Sequence, residues 1–158
     1  MARGAVGDNE DVSTFRFHHQ WALDAPVPHV YSALADVERY AVWWPQVRSV
    51  ERIDDESGRT SIRSFLPYTL HLVLRRDIED EADGILRVAV SGDLEGWCQW
   101  QLRAGPEGTT ATFDQEASVT PTLLARTAPV TGPLLRANHS WMMRSGRAGL
   151  ADYLDRAS

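Results

Sequence analysis

The chain has 158 residues, which suits a single domain of ordinary size with a sizeable core. Its formal net charge of −6 comes from 22 acidic and 16 basic residues. This balance lacks the basic excess of a phosphate-binding protein, so we expect no nucleic-acid partner. The chain has one cysteine, Cys98, which excludes an intrachain disulfide and a structural zinc site of the thiolate kind.

The N-terminal segment predicts a tail followed by one domain. Residues 1–12 are small, polar and acidic, and we expect a flexible tail there and a single domain over 13–158. The segment lacks the apolar core of a secretory signal, and no run of about 18 apolar residues follows it. We therefore expect a cytoplasmic protein with no stable membrane insertion. From Ser13, aromatic residues alternate with polar ones, which predicts the first strand.

The next segment predicts two short helices. The sequence Asp24-Ala25-Pro26 is typical of a helix start, and apolar residues at helical spacing follow it. We expect Asp36 to cap a second helix that runs through Trp43, and Pro45 to end that helix.

The middle of the chain predicts a run of strands. Short alternating segments are separated by turn residues such as glycine, proline and aspartate, which is typical of an antiparallel meander. These strands are predicted at 47–54, 59–66, 69–79, 85–91, 97–103 and 109–119.

The C-terminal part is predicted to be helical. We expect a helix from Thr120 to Ala128, an interruption at the prolines and glycine of 129–133, and a long helix from Leu134 to Arg156.

The order of these elements predicts an α+β fold. A curved seven-stranded antiparallel sheet must cover one face, and the long C-terminal helix is the element large enough to do so. A sheet wrapped around one helix leaves a space between them. Gly146 and Gly149, on the sheet-facing side of the helix, either bring two backbones close together or leave room for a bound molecule.

Four segments carry a resemblance to a known superfamily. They are APVPHVYSALADVERYAVWWPQV (25–47), GDLEGWCQWQL (92–102), GTTATFDQEASVTP (108–121) and NHSWMMRSGRAGLADYL (138–154). In this order they resemble the START-like or Bet v 1-like (SRPBCC) helix-grip superfamily, and within it the polyketide cyclase/dehydrase and lipid-transport branch. The resemblance covers 14–155 and implies a helix-grip fold with an internal cavity. Related folds bind sterols, lipids, plant hormones or aromatic polyketides, so the resemblance leaves the ligand open.

Tryptophans are candidates for the cavity wall, and the chain has six. Each can bury a large apolar surface and stack on a flat ligand, or it can fill the core. The candidate ligand-binding tryptophans are Trp43, Trp44, Trp97, Trp100 and Trp141. Trp97 and Trp100 have opposite parity on one predicted strand, so they cannot both face the cavity.

Strand and helix periodicity place further candidates at the same cavity. Phe113 and Gln115 share the apolar parity of the last strand and should face the helix. Gln115 is then either satisfied by the backbone or aimed at a ligand. On the helix, His139 and Met142 lie on the inward face, and Asn138 is adjacent. We expect Phe113, Gln115, Asn138 and Met142 to contact the ligand.

His139 and Tyr68 are the candidate catalytic residues. A neutral imidazole suits general acid–base work, such as enolisation of a poly-β-ketone, although a buried histidine bonded to a strand is the alternative. His18 and His19 point to opposite faces of a strand and cannot chelate one ion together. The sequence has no metal-binding motif, and its lack of lysine excludes Schiff-base chemistry, so we expect neither a metal nor a cofactor.

These features predict a protein that binds a hydrophobic small molecule, aromatic or polyketide-like, in the biosynthesis, transport or self-protection of natural products. The alternative is a cofactor-free polyketide cyclase or aromatase that acts on that ligand by general acid–base catalysis. An acid–base group beside the cavity favours the enzyme, and a purely apolar pocket favours the binder. We expect a monomer or a weak dimer.

Overall fold

A computed structural model of the chain describes residues 14–63, 68–120 and 132–157. The tail predicted at 1–12 and the short helix predicted to follow Thr120 lie outside the described residues. Within those residues, no helix is both long enough and apolar enough to cross a membrane.

The sheet has seven antiparallel strands in the order β1-β7-β6-β5-β4-β3-β2. The first strand therefore pairs with the last, and every other neighbour is consecutive in sequence. The strands are β1 (Thr14–Leu23), β2 (Val47–Arg52), β3 (Ser57–Ile62), β4 (Leu70–Asp80), β5 (Ile85–Gly92), β6 (Leu94–Gly105) and β7 (Gly108–Val119). The predicted α+β helix-grip architecture is confirmed.

Two short helices and one long helix complete the fold. They are α1 (Val27–Ala35), α2 (Tyr40–Trp43) and α3 (Gly132–Ala157), with a 3-10 turn at Val37–Arg39 between α1 and α2. The helix α3 begins at Gly132, two residues before the predicted start. The predicted Asp36 cap is wrong: no side-chain cap bond forms, and the carboxylate lies 3.4 Å from Arg39 Nε.

The turn between β2 and β3 also lies earlier than predicted. The carboxylate of Asp54 accepts hydrogen bonds from the backbone N–H groups of Glu56 and Ser57, each at 2.8 Å. This local bond closes the turn before Ser57, so the predicted turn residues Ser57 and Gly58 belong to β3 instead.

The helix α3 packs closely on α2 because two of its residues are glycines. A Cβ atom at Gly146 would lie 2.5 Å from Trp44 Cε2, and one at Gly149 would overlap the carbonyl oxygen of Trp43. The indole N–H of Trp44 donates to the Met142 carbonyl at 2.9 Å and fixes this contact. Gly146 and Gly149 therefore allow close packing of α3 and do not leave room for a bound molecule.

Candidate functional site

A cavity of about 760 Å³ lies between the sheet and α3. Small-molecule sites typically occupy roughly 300–1,000 Å³. Phe113 and Gln115 point into the cavity because alternate residues of β7 face the same side of the sheet. His139 and Met142 line it from α3, as predicted. Their role in binding stays a prediction.

Most of the remaining wall is apolar. The inward-facing residues of β3 to β6 supply aliphatic side chains and one thiol, while Tyr68 and Asn138 add polar groups. Charged residues between 36 and 56 and on β4 line the cavity as well. The main aliphatic contributors are Ile62, Leu70, Leu72, Leu74, Leu86, Val88 and Val90. The cavity is therefore suited to a largely hydrophobic ligand.

One wall of the cavity carries a hydrogen-bonded cluster that reaches across three elements. His139 Nε2 lies 2.8 Å from Gln115 Oε1, and His139 Nδ1 lies 3.2 Å from His19 Nε2 on β1. The ring of Phe17 stacks on the imidazole of His139, with centroids 3.7 Å apart and planes 9° apart. We call His19 and His139 the histidine pair.

The histidine pair is held in the neutral form by its surroundings. Burial, with a smaller effect from the neighbouring His19, lowers the pKa of His139 to about 3. Burial also lowers the pKa of His19, with a smaller effect from His18. Both imidazoles are accordingly uncharged near neutral pH.

The hydrogen bonds limit what His139 can do chemically. An amide oxygen only accepts hydrogen bonds, so His139 Nε2 carries the hydrogen that bonds to Gln115. The lone pair of the neutral ring then lies on Nδ1, where it accepts from His19. Neither ring nitrogen is free to take a proton from a ligand in this arrangement, which favours the alternative of a buried histidine bonded to a strand.

Tyr68 lines the cavity, and burial raises the pKa of its phenol. It is therefore a neutral hydroxyl that can donate or accept a hydrogen bond. Asn138 also lies at the wall: its amide nitrogen is 3.9 Å from Met142 Sδ, and its oxygen is buried without a partner in the described part of the chain.

Only two of the five candidate tryptophans line the cavity, namely Trp44 and Trp100. Trp43 is buried instead against Tyr40, with ring centroids 4.8 Å apart. Trp97 has the opposite parity on β6 and lies on the outer face under the guanidinium of Arg87, 4.2 Å from its ring centroid. Trp141 is 53% exposed on the outer side of α3.

Among the residues that the structure describes, each arginine that lines the cavity is paired with a carboxylate. Arg52 Nε lies 2.9 Å from Glu38, and Arg76 Nε lies 2.6 Å from Glu79. Arg87 Nε lies 3.3 Å from Asp77. These charges are compensated within the protein, so they do not supply a free cation for an anionic ligand.

A family model described as polyketide cyclase / dehydrase and lipid transport matches residues 23–149. The chain belongs to this family. Among curated proteins, no sequence matches the chain.

Solved structures share the fold of this polyketide cyclase-family domain at low sequence identity. The ZhuI aromatase/cyclase from Streptomyces sp. R1128 is 18% identical, with a TM-score of 0.72 over 90% of this chain and 94% of that one. A START superfamily protein from Mycobacterium smegmatis is 13% identical, with a TM-score of 0.68 over 92% and 99%. The di-domain aromatase/cyclase BexL from the BE-7585A biosynthetic pathway is 18% identical, with a TM-score of 0.68 over 89% of this chain and 50% of that one.

Two residues of the cluster in this polyketide cyclase-family domain, Phe17 and His19, were not among the predicted site residues. Phe17 and His19 share the inward parity of β1, and that parity was visible in the sequence. The pairing of β1 with β7, which sets His19 opposite Phe113, was not visible, because the two segments are far apart in the sequence.

Cys98 provides a chemical probe of this cavity, since it lines the wall and is the single cysteine of the chain. Burial raises the pKa of its thiol to about 12. The reactive species is the thiolate, so we expect modification by a disulfide reagent at pH 8 to be at least about 100-fold slower in the native protein than in urea. Equal rates in the two states would contradict a buried Cys98.

Proposed function

We propose that this domain binds an uncharged, hydrophobic small molecule, aromatic or polyketide-like, in the cavity between the sheet and α3. The observation that carries the proposal is a cavity of about 760 Å³ with a mostly apolar wall, which includes the hydrogen-bonded pair His139 and Gln115. Such a site gains most of its affinity from apolar burial, while a few polar groups fix the orientation of the ligand. Membership of a family of cyclases and lipid-transport proteins supports the same proposal.

Two features support an aromatic and uncharged ligand. Trp44 and Trp100 place large flat rings at the wall, where a planar molecule can stack in an offset or edge-to-face arrangement. Arg52, Arg76 and Arg87, the arginines of the cavity wall in the described part of the chain, are each paired with a carboxylate. A neutral planar ligand therefore meets the least desolvation cost.

Tryptophan fluorescence tests this proposal. We expect a planar hydrophobic ligand to quench the intrinsic fluorescence with a Kd of about 1 μM, equivalent to about −8 kcal/mol. Trp100→Phe should reduce the quenching amplitude, because Trp100 lines the cavity. The matched control, Trp141→Phe, should leave the amplitude unchanged, because Trp141 faces solvent. Absence of saturable quenching across polyketides, flavonoids, sterols and fatty acids would contradict the proposal.

A cofactor-free cyclase is the second candidate, because the imidazole of His139 lies at the cavity wall. His139 lines the cavity, and its two ring nitrogens are bonded to His19 and Gln115. Catalysis by His139 requires one of its two hydrogen bonds, to Gln115 or to His19, to break. One ring nitrogen can then reach the substrate.

A cyclisation assay with a linear poly-β-ketone thioester distinguishes a cyclase from a protein that only binds its ligand. If His139 is the base, His139→Phe should lower the rate of cyclisation by about 10²- to 10⁴-fold while binding persists. If the domain only binds, the native protein should not accelerate cyclisation above the rate in buffer.

A further inference from the structure

The hydrogen bonds of the polar cluster all run in one direction. His19 Nε2–H donates to His139 Nδ1, and His139 Nε2–H donates to Gln115 Oε1. This order is deduced from the position of Gln115 Oε1 beside His139, because an amide oxygen only accepts and the hydrogen of His139 must then be on Nε2. The stacked ring of Phe17 holds the imidazole plane, so the chain of donors ends on Gln115 in a fixed geometry.

This order leaves one end of the Gln115 side chain for a ligand. Its oxygen is occupied by His139, so the N–H groups on its Nε2 are the donors that Gln115 can offer to the cavity. Gln115 itself lines the cavity. The group presented to a bound molecule is therefore an N–H donor, which is complementary to a carbonyl oxygen.

We propose that His19 is a positioning residue: acting through His139, it fixes the Gln115 amide so that its N–H group selects ligands that carry a carbonyl oxygen. The inference rests on the proposed function, because it needs a ligand in the cavity. His19 does not line the cavity and acts only through the tautomer of His139. Without the donor from His19, the hydrogen of His139 can move to Nδ1, and His139 Nε2 then becomes an acceptor. The Gln115 amide turns its N–H toward His139 and presents its oxygen to the ligand instead.

A pair of isosteric probes measures this selectivity. The probes are 2-acetylnaphthalene, which has a carbonyl oxygen, and 2-isopropenylnaphthalene, which has a methylene group in its place. Calorimetric titration of each probe gives the ratio of their affinities, and the hydrocarbon reports on the integrity of the cavity. For the native protein we expect the ketone to bind about 5-fold more tightly, the worth of one net hydrogen bond.

Four variants test which residues cause the preference for the ketone over the hydrocarbon. Gln115→Leu removes the donor and should bring the ratio to about 1. His19→Phe should also bring the ratio to about 1 or below, since the amide is then free to turn. His19→Gln keeps an N–H near the position of Nε2 and should restore the native ratio. His18→Phe is the matched control, because its imidazole is on the outer face with Asp114, and it should keep the native ratio.

The outcomes separate this inference from the proposed function. A native ratio of about 5 that is lost in Gln115→Leu and His19→Phe, and kept in His19→Gln and His18→Phe, supports the inference. Binding of both probes with equal affinity to the native protein overturns the inference and leaves the proposed function standing. Failure of both probes and of the wider ligand panel to bind overturns the proposed function. If His19→Phe does not fold, an unchanged ratio in Gln115→Leu still overturns the inference.

Discussion

Gly149→Ala is expected to destabilise the domain by about 3 kcal/mol or more, because its methyl group has no space. The added Cβ would overlap the carbonyl oxygen of Trp43, which belongs to the backbone and cannot turn aside as a side chain can. Relief requires α3 to move away from α2. That movement would strain the bond from the Trp44 indole to the Met142 carbonyl. Equilibrium unfolding in urea measures the loss.

Two other helix variants serve as comparisons for Gly149→Ala. Arg147→Ala lies on the exposed face of the same helix and should change the free energy of unfolding by less than about 0.5 kcal/mol. Gly146→Ala meets the indole of Trp44, a side chain, and should fall between the two. A free energy of unfolding in Gly149→Ala equal to that of Arg147→Ala would contradict the packing of α3 on α2.

The domain is expected to lose stability as the pH falls from 6.5 to 5, with about 2 kcal/mol of that loss coming from His139. The ordinary pKa of this histidine is 6.5, and its pKa in the folded state is about 3. Between these values the unfolded chain binds a proton that the folded chain excludes, so the free energy of unfolding rises with pH. The stability is full above pH 6.5 and falls below it. His19, whose pKa is also lowered, adds to the loss in the same direction.

Urea unfolding at a series of pH values tests this dependence. The range from pH 6.5 to 5 avoids most titration of carboxylates. His139→Phe should reduce the dependence of the free energy of unfolding on pH, because phenylalanine cannot bind a proton in the unfolded chain. This holds whatever the effect of the substitution on the absolute stability. His29→Gln, at an exposed position, should keep the native slope. A native protein whose stability does not change across this range would contradict the buried neutral histidine.

Much of the cavity could be predicted from periodicity alone. The alternation on β7 placed Phe113 and Gln115 inward, and the helical spacing of α3 placed His139 opposite them. Both patterns are local, since they depend only on the repeat of one element. They do not need the relative position of the two elements to be known.

The hydrogen bonds of His139 could not be predicted in the same way. Its partner His19 is 120 residues away in the sequence, and a contact across that separation depends on β1 joining β7 at the sheet edge. Parity alone allowed His19 an inward position but gave no reason to place it beside His139.

The tryptophans show a second limit of sequence patterns. Trp43 and Trp44 are adjacent, and their chemistry is identical, yet Trp44 faces the cavity and Trp43 packs against Tyr40. The one-turn helix α2 and the glycines of α3 decide which indole points inward. Residue type alone could not distinguish their roles.

The two proposals together place a neutral planar ligand in the cavity, with its carbonyl oxygen bound by the N–H of Gln115. A crystal structure of the domain grown with saturating 2-acetylnaphthalene tests this placement most directly. We predict electron density for the naphthalene ring between Trp100 and α3, with the ketone oxygen within hydrogen-bond distance of Gln115 Nε2. An empty cavity under those conditions, or a ligand located only on the outer surface, would contradict this placement.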